Sequence, residues 1–324
     1  MIPSLQRTTQ ISALATEQPV EFFVGDHLLC GCLTKPAGAA GDLAAVFVHG
    51  WSGIRGGPNR LFVHVARALA EDGIPALRFD LRGRGESAGN GLETSLRTMA
   101  EDLEQAVEFM QSQTGCSRIL LVGICSGANV AIGTLDRLAS SAVSGLLLYS
   151  VYPFSDGDSF GRDVGRTWHF LRVYRHKLGC ADTWRRLVRG DIDVRSVLRV
   201  LFGHFGASEK PAPETGQKSG GAAGKTAVAT SKEGRFQSAP PTTALRKLTP
   251  DLPALLVYGT SDPDAKAARK YYESYAEEHN LPMRFEEVSG ADHNFSSKSW
   301  QDSILALSRT FWREQQSLPL GASE

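Results

Sequence analysis

The chain has 324 residues, 42% hydrophobic and 22% charged, with 35 Lys+Arg against 35 Asp+Glu. That length fits one catalytic domain of roughly 250 residues plus an insertion, and the composition supplies a sizeable core. A formal net charge of zero excludes the basic surplus of a general nucleic-acid binder and the acidic surplus of a disordered tail.

Residues 1–18 lack the apolar stretch of a signal peptide, and no apolar run approaches the ~20 residues of a membrane helix. The cysteines are Cys30, Cys32, Cys116, Cys125 and Cys180, an odd number without framework spacing. Reduced thiols and a cytoplasmic location are the expectation. Runs at 21–24 and 27–33 flank Gly25-Asp26 and read as a hairpin. Strand and helix patterns then alternate. A buried strand at 44–48 precedes a helix face of Leu61, Val65 and Leu69. A strand at 75–79 precedes a face of Met99, Leu103, Ala106, Val107 and Met110. A fully apolar strand at 119–124 leads into a helix at 128–138, and another strand follows at 146–151.

The alternation stops at residue 152. Residues 152–206 read as a helical cap, and 207–248 as a flexible low-complexity loop leading back to the core. From Ala207 to Thr243, Pro, Gly, Ser, Thr, Ala and Lys dominate. Alternation resumes with a strand at 254–258, a helix at 267–278, a strand at 283–288, and a last helix presenting Trp300, Ile304, Leu307 and Phe311. Continuous apolar strands alternating with helices imply an α/β class, with a mainly parallel sheet covered on both faces. The core then comprises 1–151 and 249–324.

The strongest chemical signal is Gly123-Ile124-Cys125-Ser126-Gly127, after one buried strand and before a helix. A sharp strand-to-helix turn needs small residues two before and two after its centre, which makes Cys125 the elbow residue. Ser126 fits that position poorly, because Ile124 and Ala128 would flank it. Val48-His49-Gly50-Trp51 follows the first core strand, where a loop supplies one oxyanion N–H. Trp51 and Ser126 are the expected donors, and His49 is a structural turn residue. Arg78-Phe79-Asp80-Leu81-Arg82-Gly83-Arg84-Gly85-Glu86-Ser87 reads as a tight hydrogen-bonded loop without chemistry. Asp262, directly after a strand, is the candidate acid, with Asp264 as runner-up. His293, in Gly290-Ala291-Asp292-His293, is the candidate base. The order nucleophile, acid, base is that of hydrolase triads on such sheets. The other histidines (His27, His64, His169, His176, His204 and His279) lack such a setting. No His/Cys/Asp cluster has metal-ligand spacing, and no cofactor is expected.

On these motifs the chain, apart from 207–243, resembles an α/β-hydrolase of the serine-aminopeptidase-like, acylglycerol-lipase-like branch. Gly50-Trp51-Ser52-Gly53, Gly57-Pro58-Asn59-Arg60-Leu61-Phe62-Val63, the run from Arg78 to Gly85, and Trp184-Arg185-Arg186-Leu187-Val188-Arg189-Gly190-Asp191-Ile192-Asp193 are similar to exosortase-associated hydrolases. Most members of the branch carry Ser where Cys125 stands; dienelactone hydrolases and polyhydroxyalkanoate synthases place Cys there. The resemblance implies an acyl hydrolase acting on carboxylic esters or thioesters, or an acyltransferase using the same residues. An inactive binding scaffold is the third reading, and the ordered set Cys125, Asp262 and His293 argues against it.

A small-molecule acyl substrate is the expected partner, and nucleic acid is not. The cap carries Arg162, Arg166, Arg172, Arg175, Lys177, Arg185, Arg186, Arg189, Arg195 and Arg199 among Trp168, Phe170, Tyr174 and Trp184. It reads either as a cationic mouth for an anionic or carrier-linked acyl group or an anionic membrane surface, or as solvated helices whose Arg stems cover apolar area.

Overall fold

A computed structural model describes residues 7–91, 94–153 and 245–317. Nearly all of the expected cap and of the low-complexity stretch, 154–244, lies outside the described residues, with Cys180 and the cap arginines. Leu245 and Leu248 are already buried in the core, so packed structure resumes within the last residues assigned to that stretch.

Among the described residues nine strands form one sheet in the order β1-β2-β3-β5-β4-β6-β7-β8-β9. They are β1 (Thr9–Ser12), β2 (Ala15–Val24), β3 (His27–Pro36), β4 (Leu43–Val48), β5 (Ala76–Phe79), β6 (Arg118–Ile124), β7 (Val143–Tyr149), β8 (Ala254–Gly259) and β9 (Met283–Val288). β1 to β3 are antiparallel, and β3 joins β5 antiparallel. From β5 to β9 every pairing is parallel. The hairpin turn is Gly25-Asp26, with Gly25 at φ 56°, where a side chain would be strained. β1 carried no legible signal: its residues Thr9 to Ser12 are exposed or half-buried.

Among the described residues the α-helices are α1 (Leu61–Glu71), α2 (Leu96–Thr114), α3 (Ser126–Thr134), α4 (Ala265–His279) and α5 (Lys298–Ser317). Strand alternation splits the core in two. Ala44, Val46, Val48, Ile119, Leu121, Leu256 and Tyr258 pack with α2, α3 and α4 residues. Ala45, Phe47, Leu120, Val122, Leu255 and Val257 pack with α1 and α5. Because both faces are covered, central strands read as continuous apolar runs. Leu61, Val65 and Leu69 on α1 are fully buried, as are Leu103, Ala106 and Met110 on α2.

Two boundaries differ from the sequence reading. α3 starts at Ser126 and ends at Thr134, earlier at both ends than 128–138. The buried face of α5 is Gln301, Ile304, Ser308, Phe311, Trp312 and Gln315, while Trp300 and Leu307 are only partly buried. Specific hydrogen bonds draw polar residues inward: Ser308 meets the Tyr149 hydroxyl at 2.8 Å, and Gln301 donates to the Phe295 carbonyl at 3.2 Å. Hydrophobic periodicity alone does not register such partners.

Candidate active site

The C-terminal ends of β4, β6, β8 and β9 bring the candidate residues to one rim of the sheet. Cys125 sits between β6 and α3 at φ 57°, ψ −129°, a strained conformation for a residue with a side chain. Its neighbours explain why the turn needs glycine. A Cβ at Gly123 would lie 2.5 Å from the Ala128 Cα, and one at Gly127 would lie 2.3 Å from the Val48 oxygen and 2.5 Å from the His49 oxygen. These obstacles are backbone and cannot swing aside. Gly127→Ala is therefore expected to lower stability by about 3 kcal/mol, read from the urea midpoint. A midpoint equal to that of the parent would show that the elbow relaxes freely.

Gly50 approaches the elbow from β4. A Cβ there would be 3.5 Å from Cys125 Sγ and 3.3 Å from Ser126 Oγ. The Trp51 N–H donates to Ser126 Oγ at 2.7 Å, so in this conformation it points at that hydroxyl. His49 is buried. Its Nε2 accepts the Leu81 N–H at 3.1 Å, so Nδ1 carries the proton and donates to the Gly50 oxygen at 2.8 Å. Burial holds its pKa below the ordinary value, and the neutral ring ties the loop after β4 to the loop after β5.

The loop after β5 is knitted to its surroundings as the sequence suggested. Buried Asp80 accepts the Arg55 N–H at 2.6 Å and the Glu86 N–H at 3.2 Å, and pairs with the Arg55 guanidinium. Arg82 pairs with Asp102 of α2 at 2.6 Å. Gly85 is obligatory, since a Cβ would fall 2.1 Å from Asp80 Oδ2.

Asp262 and His293 meet. Asp262 Oδ2 lies 2.7 Å from His293 Nδ1, and the carboxylate side chain is only 2% exposed. Its Oδ1 accepts the Asp264 N–H at 3.1 Å. Gly259 permits this approach, because a Cβ there would be 2.3 Å from the Ala291 oxygen. Asp264 occupies the N-cap position of α4, but its side chain makes no capping bond. Asp264, the runner-up for the acid, lends only its N–H, to Asp262 Oδ1. Asp292 accepts the Asn294 and Ser296 N–H groups at 3.0 and 3.1 Å and organises the loop holding His293.

Burial opposes charge on His293, but hydrogen bonds to Asp262 and Cys125, with their charges, outweigh it and raise its pKa to about 10. Tyr152 was absent from the sequence argument. Its hydroxyl is 3.3 Å from His293 Nε2, and the two rings stack at 5.1 Å. Its carbonyl is held by Asn129 Nδ2 at 3.0 Å and the Tyr272 hydroxyl at 2.9 Å. The available signal was its place just past the end of β7, on the rim that carries the other loops.

With this geometry in hand, comparison with known proteins is specific about the family. The sequence model described as "Alpha/beta hydrolase family" matches residues 45–302, most of the chain. The chain belongs to the alpha/beta hydrolase family. Among curated relatives, the lysophosphatidylserine lipase ABHD12 of Gallus gallus is 28% identical over 131 residues, covering 40% of this chain and 32% of that protein. Esterase EstD of Thermotoga maritima is 30% identical over 120 residues, covering 36% of this chain and 29% of that protein. This chain thus spans about a third of the length of the curated relatives it matches.

Solved structures similar to it include an esterase of Pyrococcus furiosus (TM-score 0.59, 17% identity, 92% of this chain and 90% of that one). Another is dienelactone hydrolase of Anabaena variabilis (TM-score 0.55, 15% identity, 93% and 98%). At such identities the likeness speaks for the fold. Among the described residues no helix is long and apolar enough to cross a membrane.

Proposed function

We propose that the protein is an acyl hydrolase of carboxylic esters or thioesters, with Cys125 as nucleophile, His293 as base and Asp262 as the acid that orients it. The observation that carries this reading is the 2.7 Å contact of Asp262 Oδ2 with His293 Nδ1, on an imidazole that also hydrogen-bonds the elbow cysteine. Cys125 Sγ attacks the acyl carbon, and the thiol proton passes to His293 Nε2. Collapse of the tetrahedral intermediate breaks the bond to the leaving group, which takes the proton from Nε2. Water then attacks the thioester, gives a proton to His293, and the acid departs as Cys125 regains its own. Asp262 holds the imidazole tautomer and stabilises its cation throughout.

The oxyanion is received by the Ser126 N–H and, once the Ser126 hydroxyl turns aside, by the Trp51 N–H. Giving up that hydrogen bond costs about 1 kcal/mol, less than an oxyanion-hole donor returns. The names of the relatives, a lipase and an esterase, support ester bonds as the substrate class.

The test is a panel of acyl p-nitrophenyl esters and acyl thioesters, with and without added alcohol or thiol acceptors. Turnover abolished in Cys125→Ala is the expected result. Product appearing on the acceptor instead of in water would reassign the chemistry to acyl transfer. Undiminished turnover in Cys125→Ala would overturn the reading.

A further inference from the structure

Arginines around the site fall into two kinds. Arg55 is paired with Asp80 and Glu86, Arg78 with Glu17 at 2.8 Å, and Arg82 with Asp102 at 2.6 Å. Arg84 has no carboxylate partner among the described residues. Its guanidinium lies over the Trp51 ring at 5.0 Å, and Nη2 donates to the Gly91 carbonyl at 3.0 Å. Glycine at position 91 leaves room for the group: a Cβ there would fall 2.1 Å from Nη1. The group is half-buried, and burial is what pulls its pKa below the ordinary value.

A cation partly withdrawn from water without a counter-charge is costly. Indole and carbonyl offset part of that cost. An arriving anion would offset the rest, through a charge-assisted pair with the guanidinium N–H groups still unbonded among the described residues. The position suits a substrate group. Trp51 belongs to the loop beside the elbow, is 38% exposed, and is followed by Ile54 at 53% exposed. Trp51 is tied to the elbow itself, its N–H donating to Ser126 Oγ at 2.7 Å.

We propose that Arg84, seated on Trp51, recognises a carboxylate or similar oxyanion on the acyl substrate, making the protein selective for anionic over neutral acyl groups. The proposal rests on the acyl-hydrolase reading for its location, and its test separates the two. Mono-p-nitrophenyl glutarate and p-nitrophenyl valerate have the same chain length and differ in the terminal carboxylate. The ratio of their kcat/KM values is measured for the parent, Arg84→Gln and Arg84→Lys, with Cys125→Ala as the control for Cys125-dependent turnover. The glutarate-to-valerate ratio is expected to fall roughly ten-fold or more in Arg84→Gln, with partial recovery in Arg84→Lys.

A second readout needs neither turnover nor a variant. Free glutarate, and not pentane-1,5-diol, should protect Arg84 of the parent protein from phenylglyoxal, mapped by mass spectrometry. Protection without Cys125-dependent turnover would leave the Arg84 site standing and remove the hydrolase reading. Cys125-dependent turnover with an unchanged ratio in Arg84→Gln, or no protection by glutarate, would overturn the Arg84 proposal and leave the hydrolase reading intact.

Discussion

Iodoacetamide at neutral pH is expected to alkylate Cys125 before any other cysteine of the folded protein. The thiolate is the reactive form. Burial raises the pKa of Cys30, Cys32 and Cys116 and so holds them as thiols. Cys30 and Cys116 also donate to carbonyls, of Glu86 at 3.3 Å and Gly41 at 3.2 Å. Cys125 instead faces an imidazole that prefers to be charged. An ordinary thiol is about 3% ionised at pH 7, so full ion pairing would speed labelling about thirty-fold. Lower basicity makes each thiolate less nucleophilic, which trims the expected gain to about ten-fold.

The pH sign follows from His293. Its folded pKa, about 10, lies above the ordinary 6.5. The imidazolium therefore contributes stability that is fully present below pH 6.5 and is lost as pH rises toward 10. Labelling of Cys125 should already be fast below pH 7, and His293→Ala should shift its onset upward toward that of a free thiol. Mass-spectrometric mapping of the first site, across pH, reads both effects. Earlier labelling of Cys30, Cys32, Cys116 or Cys180, or a pH profile that His293→Ala leaves in place, would count against the nucleophile assignment.

Asp262→Asn is expected to lower turnover by roughly 10²- to 10³-fold, with Asp264→Asn within about two-fold of the parent. Asp262 has two fixed partners, the Asp264 N–H on Oδ1 and His293 Nδ1 on Oδ2. An asparagine that keeps its oxygen on the N–H must turn its amide nitrogen toward Nδ1. That favours the tautomer with the proton on Nε2, where it cannot receive the thiol proton. A serine hydrolase losing its acid drops about 10⁴-fold. A cysteine that already holds part of its reactivity as a thiolate depends less on the acid. Asp264 is exposed and makes no capping bond, so its amide is tolerated. The measurement is kcat at saturating substrate, with circular dichroism on both variants. Full activity in Asp262→Asn together with loss in Asp264→Asn would exchange the two roles.

Much of the fold was legible because its signals are local. Strands buried on both faces, such as β4, β6 and β8, read as apolar runs, and the buried stripes of α1 and α2 appear at helical spacing. The elbow was legible for the same reason: Gly123 avoids Ala128, five residues away.

Tertiary structure alone decided the contacts between distant segments. Asp262 and His293 are 31 residues apart, Trp51 and Ser126 are 75, and Tyr152 and His293 are 141. Chain order narrowed the acid to Asp262 or Asp264, but only the course of the turn after β8 determines which carboxylate reaches the ring. Polar residues on the buried face of α5, and an arginine left without a carboxylate among the described residues, were equally invisible. Both depend on which hydrogen-bond and charge partners the fold brings near, and a one-dimensional pattern of side-chain types does not contain that information.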